Sequence, residues 1–491
     1  MFLSIDQSTT STTVFLFNKN LNLIKKISKP HKQIYYNKDW VEHDAEEIYK
    51  NLLKVIKILS KKLNLNKDLF VSITNQRETF VIFDKKTGKP LHKAIVWQCR
   101  RGNEICNKIG KSKIKSKMIK NFTGLELDTY FPASKLSWLL KNKKKLAYKI
   151  KTGSALFGTI DTYLIYRLTK TKSYSTDYTN ASRTLFFDNK RLTWSKKLLF
   201  LFNLKIKYLP EVKESSSIFG NTNFEGLLRN EIPISGVIGD SQSSLFANQC
   251  YKKGDTKITL GTGSSILTNI GNKFKIKNKH ITTLSFVYKG KPYYSYECLI
   301  NFAGATISWL KNNLGVLNSV KDSDKISKSI QDSNGVFLIP AFVGLSSPHW
   351  LPNSKGMFYG LTPSVHKKHL IRSSLESIAF QIKDYAEELR KNQNLKLNKI
   401  YLDGGMTSNN FLIQMISNLF KNRIYVSKLE DMSAYGSLLM GLIGLNKVKN
   451  LEDLKKFKKK YKEFKPLEYE VDIKTYQKWR EILNSFYLNN K

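Results

Sequence analysis

The sequence predicts an α/β protein of two lobes, and three observations carry that expectation. Two distant stretches, IDQSTTSTTVFLF at Ile5 to Phe17 and ITLGTGSSILTNI at Ile258 to Ile270, share one plan of apolar strand, small polar turn and apolar strand. Short β-branched runs alternate with longer amphipathic segments, as they do where strands exchange with helices. The 491 residues exceed what one core organises, so two domains of roughly 200–250 residues are expected. The division is placed at residues 1–245 and 246–491, where a second cycle of strand and helix begins near Ile232.

Taken in order, the first hairpin has a turn so rich in Ser and Thr that backbone N–H groups and hydroxyls can crowd around an anion, with Asp6 placed where a metal could bind. Such turns also occur in hairpins that bind nothing. The repeat near the start of each half points to a nucleotide held between the lobes, because ligands favour inter-domain clefts. Ile48 to Leu63 has helical spacing, and Phe70 to Ile73, Phe80 to Phe83 and Ile95 to Trp97 read as strands. NQRET (Asn75 to Thr79) lies between two of these strands and presents Arg77 and Glu78, either as ligand-binding groups or as a plain hairpin turn. AIVWQCRRG follows, with Trp97 beside Arg100 and Arg101: an aromatic wall next to a charged pair suits a small polyhydroxylated ligand, while ordinary core is the simpler alternative.

In the second half, IPISGVIGD runs as strand into SQSSLFANQ, which has helical character. Asp240 therefore falls at a strand's C-terminal end ahead of a helix, the place where open α/β sheets hold ligands, and a carboxylate there can act as general base or merely as an N-cap. Leu370 to Asn392 carries apolar residues at i, i+3, i+4 and i+7 and is a helix, as is Asn409 to Phe420. LDGGMTSNNF ends a strand at Asp403 with two glycines that let a flat ring or a phosphate approach the backbone. The Lys-rich tail, with KKFKKKYKEFK at Lys455 to Lys465, reads as a solvated helix face or surface loop.

Composition narrows the function. No run approaches the ~20 apolar residues of a membrane span, and the start MFLSIDQ lacks a basic leader, so a cytoplasmic protein is expected. Cys99, Cys106, Cys250 and Cys298 have no CxxC pairing, which argues against a zinc site or a disulfide framework. A net charge of +43 suggests a polyanion binder, but the 82 basic residues comprise 71 Lys and only 11 Arg, spread along the chain. Specific nucleic-acid recognition favours Arg forks, so no specific nucleic-acid partner is expected.

These strings resemble the FGGY carbohydrate kinases over nearly the full length. YFPASKLSWLLKN (Tyr130 to Asn142) and GMFYGLTPSVHKKHLIRSSLE (Gly356 to Glu376) are similar to the family's two signatures. WVEHD, TNQRET, AIVWQCRR and DYTNASRT are similar to its glycerol-phosphorylating members. The resemblance implies an actin-like ATPase architecture, two ribonuclease-H-like lobes with the site in the cleft, and ATP with Mg2+ as cofactors. It implies a polyol site at Arg77, Glu78, Trp97, Tyr130, Asp240 and Ser241, with Asp240 as the base. It implies nucleotide contacts at Thr9, Thr10, Ser11, Thr262, Gly304, Ser308, Gly405 and Asn409, and Mg2+ bound through water at Asp6.

Departures from the family pattern bear on substrate choice. Ser8 replaces a Gly in the first phosphate turn and Thr13 an Arg. Ser241 replaces a Gln and Ser265 a Phe in the polyol pocket, and Ser308 replaces a Gln. Glycerol is thus the first expected substrate, with erythritol, ribitol or xylulose types as the alternative, and homodimer or homotetramer remain open. The segment EGLLRNE at Glu225 to Glu231 lacks the Gly-rich, Arg-bearing character of a fructose bisphosphate site, so no inhibition by that effector is expected.

Overall fold

The computed structural model describes all residues except 38, 64–68, 277–279, 352, 394, 468–469 and 489–491. Its first sheet orders the strands Ile218–Thr222, Ile232–Gly239, Val71–Asn75, Phe2–Gln7, Ser11–Phe17 and Leu23–Pro30. Phe2–Gln7 runs antiparallel to Ser11–Phe17 and parallel to Val71–Asn75, which is in turn parallel to Ile232–Gly239.

The second sheet repeats this plan. Thr256–Leu260 is antiparallel to Ser264–Gly271 and parallel to Ile400–Asp403, with Ile424–Ser427 parallel beyond it. In both lobes an antiparallel hairpin is continued on its far side by parallel strands, as in the ribonuclease-H-like lobes that the resemblance implied, and in the second sheet Lys291–Ile300 lies next to Ser264–Gly271 with Ile281–Tyr288 outermost. The apolar side chains of both hairpins are buried, so their alternation with solvent is lost, as in sheets covered on both faces. A smaller five-stranded sheet, containing Phe80–Asp84, Ala94–Ile95 and Ala155–Thr159, extends the N-terminal lobe.

The helix expected at Ile48 to Leu63 spans Ala45–Leu63, and the two C-terminal helices span Lys367–Gln393 and Asn410–Phe420. The Lys-rich tail begins as a short helix, Glu452–Phe457, and a loop, but then departs from expectation: Tyr461–Phe464 is an edge strand on Ile424–Ser427, and Tyr461 packs on Tyr401 with ring centroids 5.1 Å apart. The two aromatic anchors at its ends, Tyr461 and Phe464, outweigh the lysines, and charged side chains suit an exposed edge.

The lobes share a core. Phe2, Phe15, Phe17, Phe70, Ile238 and Phe246 pack with Phe286 and with Tyr435, Leu438, Leu439 and Leu442 of the helix Met432–Gly444. That helix crosses the first sheet at close range. Gly236 has φ +85°, and a Cβ there would lie 2.2 Å from Ser437 O; a Cβ on Gly436 would lie 1.9 Å from Ser243 O. Small residues are therefore obligatory at the crossing, and Ser4, Ser72 and Ser437 hydroxyls bridge it at 2.9 and 3.0 Å. The division expected at 245/246 falls inside the helix Asp240–Ala247, which this crossing holds in place.

Candidate active site

The first turn is tied down from three sides. Ser8 N–H donates to Ser11 O at 2.9 Å and its hydroxyl to the same oxygen at 3.0 Å, so the Ser8 side chain closes the turn itself. Thr9 O accepts from His31 Nε2 at 2.9 Å and Gln33 Nε2 at 2.6 Å. Gln33 Oε1 in turn accepts from His43 Nε2 at 2.7 Å, and Gln76 Nε2 donates to His43 Nδ1 at 3.4 Å, a pattern that requires a neutral imidazole. Burial, with His31 alongside, pushes the His43 pKa down to about 3. Thr10 is exposed at the tip and Ser11 is half-buried. Thr13 is spent on Ser28, hydroxyl to hydroxyl at 2.9 Å.

Asp6 lies one residue before the end of the first strand, with Oδ2 accepting from Ser433 Oγ at 2.8 Å. Burial, supplemented by the charges of Asp240 and Asp431, raises its pKa to about 7. A carboxylate so short of compensation is chemically suited to a cation. Magnesium is commonly held by one or two carboxylates with waters and substrate phosphates, and no cluster of three or more metal-ligating side chains exists among the described residues. The donor set fits Mg2+ arriving with a nucleotide.

NQRET is not a hairpin turn. It passes from the first sheet, Val71–Asn75, into the smaller sheet, Phe80–Asp84, with Glu78 at φ +64°. Its two charges enter a buried network. Arg77 Nη1 donates to Glu297 Oε1 at 2.9 Å and Gln242 Oε1 at 3.3 Å, and Arg77 Nε lies 3.2 Å from Asp240 Oδ1. Arg183 pairs with both Glu78 and Glu297. Burial raises the Glu78 pKa against the pull of Arg183 and Arg77. For Glu297 the balance reverses: burial opposes, but Arg183 and Arg77 hold the carboxyl below its ordinary value.

Trp97 and Tyr130 form a tilted pair with ring centroids 5.3 Å apart, both half-buried. Trp97 Nε1–H donates to Thr9 Oγ1 at 3.0 Å, which joins the aromatic wall directly to the first turn. The expected partnership of Trp97 with Arg100 and Arg101 does not exist. Arg101 turns away to pair with Glu42 at 2.6 Å and lies 4.6 and 5.5 Å from the ring centroids of Trp40 and Trp138, close enough for cation–π attraction, while Arg100 is exposed.

Asp240 is the first residue of its helix, after Gly239, and makes the turn between strand and helix that was expected there a direct junction. Gly239 is needed because a Cβ would meet Arg77 Cγ at 2.9 Å. Asp240 Oδ1 accepts from Ser241 N–H at 2.6 Å and faces Arg77 Nε. Oδ2 makes no hydrogen bond among the described residues, and 42% of the side chain is exposed. Ser241 Oγ stands 3.3 Å from Ser265 Oγ.

Across the cleft, a cavity of about 770 Å³ is lined by Thr262, Gly304, Ser308, Gly405 and Asn409, together with Asp324 and others. All five had been singled out in the sequence. The second turn is stitched to the helix Gly304–Asn312 by Gly304 N–H to Gly261 O at 2.9 Å and Ala305 N–H to Thr262 O at 2.9 Å. The two glycines after Asp403 differ in role. Gly404, at φ +96°, is packed so that a Cβ would lie 2.5 Å from Leu260 O, whereas nothing stands within 4 Å of one on Gly405, which leaves bare backbone facing the cavity. Asn409 caps its helix by accepting from Leu412 N–H at 2.9 Å.

Sequence reasoning missed four buried residues. Glu297, Arg183 and Gln242 build the network around Arg77. Lys135, inside the signature YFPASKLSWLLKN, donates to the carbonyls of Val96, Trp97 and Tyr130 at 3.1, 3.1 and 3.0 Å, and burial lowers its pKa to about 8. The local signal for the last was a Lys inside the otherwise apolar and small-residue run PASKLSWLL.

A duplicated sheet with a hydroxyl-rich turn on each side of a cleft, and one open carboxylate at a strand end between them, defines a two-lobed ATPase-type architecture built for group transfer. The N-terminal domain of the FGGY family of carbohydrate kinases matches residues 1–247 and its C-terminal domain residues 256–445. The chain belongs to that family. It is 38% identical over 480 residues to a glycerol kinase of Fusobacterium nucleatum, covering 97% of each protein, and 39% identical over 486 residues to glycerol kinase 1 of Thermotoga maritima, covering 98% of each. The crystal structure of Plasmodium falciparum glycerol kinase with ADP superposes with a TM-score of 0.92 at 33% identity, over 99% of this chain and 98% of that one. A ligand-bound xylulose kinase from Lactobacillus acidophilus, 22% identical with a TM-score of 0.88, shares the fold.

Proposed function

We propose that this chain transfers the terminal phosphoryl group of ATP to glycerol, giving sn-glycerol 3-phosphate. The observation that carries the reading is the Asp240 carboxylate just after a strand, on a side chain 42% exposed, with one oxygen fixed by Arg77 and Ser241 and the other making no hydrogen bond among the described residues. A base held this way can accept the hydroxyl proton as that oxygen attacks phosphorus. The full-length similarity to glycerol kinases supports glycerol as the acceptor.

In this reading Arg77 and Glu78 fix two hydroxyls while Trp97 and Tyr130 pack against the carbon chain, with Ser241 beside the base. Thr9, Thr10 and Ser11 on one side and Thr262 on the other surround the phosphates. Gly304, Ser308, Gly405 and Asn409 hold the rest of the nucleotide. Asp6 would hold Mg2+, and the ion would supply neutralisation of phosphate charge. The catalytic work of the chain is alignment and charge placement, which is most of what phosphoryl transfer requires. Lobe closure excludes water and so limits hydrolysis of ATP.

One observation favours a second reading: Ser241 and Ser265 place two small hydroxyls where an acceptor would lie, leaving room for a longer polyol or ketose. ADP release measured with ATP and glycerol, erythritol, ribitol or xylulose decides between them. Glycerol giving the highest kcat/KM supports the first reading, and a preference for a longer acceptor replaces it with the second.

A further inference from the structure

The charge network around Arg77 is completed from the opposite lobe. Glu297 lies on Lys291–Ile300, paired on one side with Leu267 and on the other with Ile281, so two neighbouring strands fix its backbone. It is fully buried. Its Oε1 accepts from Arg77 Nη1 at 2.9 Å and its Oε2 from Arg183 Nη1. Both arginines belong to the N-terminal domain and Glu297 to the C-terminal one. One carboxylate of the second lobe thus anchors two guanidinium groups of the first.

From this arrangement we propose that Glu297 is a positioning residue for the reaction: by holding Arg77 Nη1 it aims Arg77 Nε at Asp240 and presents the guanidinium to the acceptor. The physical reason lies in the geometry of the fork. A guanidinium is planar and its donors are rigidly related, so fixing Nη1 fixes the direction of Nε. Gln242 Oε1, 3.3 Å from the same nitrogen, is a neutral and longer second acceptor and cannot replace the charge-assisted bond. The two guanidinium groups are balanced inside the protein by Glu78 and Glu297, which leaves Asp240, among the described residues, as the one exposed carboxylate touching Arg77. The anchor strand is hydrogen-bonded to Ser264–Gly271, whose N-terminal end leaves the second turn. The acceptor side of the site is therefore aligned on the same platform as the nucleotide side.

The proposal rests on the polyol-kinase reading, and its test separates the two. If the unaltered protein phosphorylates none of the acceptors, that reading fails by itself. In an active protein, Glu297→Gln keeps the shape and removes the charge. The acceptor KM should rise about tenfold or more, with the KM for ATP within about twofold, because acceptor binding rather than the folded fraction is lost. In an Arg77→Ala background the same substitution should change kcat/KM by less than about twofold, since residues acting through one group are not additive. An unchanged acceptor KM, or full additivity with Arg77→Ala, overturns the proposal. Because Glu297→Gln leaves Arg183 partly unpaired and could impair folding, Gln242→Leu provides a second arm: removing the lesser acceptor should raise the acceptor KM in the same direction by a smaller factor, and a larger effect than that of Glu297→Gln overturns the ranking. A crystal structure of either variant reads the claim without substrate. Arg77 Nε withdrawn from Asp240 supports it, and Arg77 unmoved in both variants contradicts it.

Discussion

Gly436→Ala is a one-carbon change in a helix interior, and propensity alone would make it stabilising by about 1 kcal/mol. The structure predicts the opposite. The added Cβ would lie 1.9 Å from Ser243 O and 2.7 Å from Ser243 Oγ, where ordinary contact begins at 3.4 Å. The two helices must therefore part by about 1.5 Å, the difference between those distances. Ser243 is one turn beyond Asp240 on the short helix Asp240–Ala247, so the carboxylate moves with it. Overpacking of this kind costs roughly 1–3 kcal/mol, while a displacement of about 1 Å at a reacting group costs on the order of 100-fold in rate. The expected variant is folded, slightly less stable, and on the order of 100-fold slower in kcat when ADP release is followed by a coupled assay. Gly110→Ala is the control, since its Cβ would meet nothing nearer than Leu127 Cδ2 at 3.8 Å. A Gly436→Ala enzyme with parental kcat and melting temperature would refute the argument that this crossing positions Asp240.

The remaining predictions concern the groups that brace the site. His43 is neutral in the folded protein down to about pH 3 but ordinarily titrates at 6.5. The unfolded chain therefore binds the proton first as pH falls, and stability from this group is present above 6.5 and lost between 6.5 and about 3. Denaturant melts at pH 7 and pH 4.5 should show the parent losing on the order of 2–3 kcal/mol more than His43→Gln; parallel losses would count against it. Lys135, with its pKa lowered to about 8, gives up a proton and hence donor strength above that pH, so acceptor KM should rise on the alkaline side. Lys135→Met should have a KM raised about tenfold, from the lost charged hydrogen bonds, and flat across the same range; a parental KM in that variant removes Lys135 from the bracing role. Millimolar fructose bisphosphate should leave turnover unchanged, and a clear inhibition curve would contradict the expectation drawn from EGLLRNE.

Local chemistry made the frame of the molecule legible. Each hydroxyl-rich turn, the strand end at Asp240 and the glycines after Asp403 advertise themselves within about ten residues, because turn and cap chemistry is short-range. The five residues Thr262, Gly304, Ser308, Gly405 and Asn409 line one cavity. What the sequence hid depends on distance along the chain. Glu297 meets Arg77 across 220 residues and Arg183 across 114, and in KPYYSYECLI it reads as one polar residue in an ordinary strand. Adjacency also misled. Arg101 is four residues from Trp97, yet the intervening turn sends it to Trp40, Trp138 and Glu42. The lysines of the tail drew attention to solvent, while Tyr461 and Phe464 decided the strand.

The most direct measurement is turnover of Asp240→Asn with ATP and glycerol, paired with ATP affinity by calorimetry. The account predicts a loss of several orders of magnitude in kcat with nucleotide affinity nearly intact, because the amide keeps the shape but cannot take a proton. Near-parental turnover in that variant would contradict it.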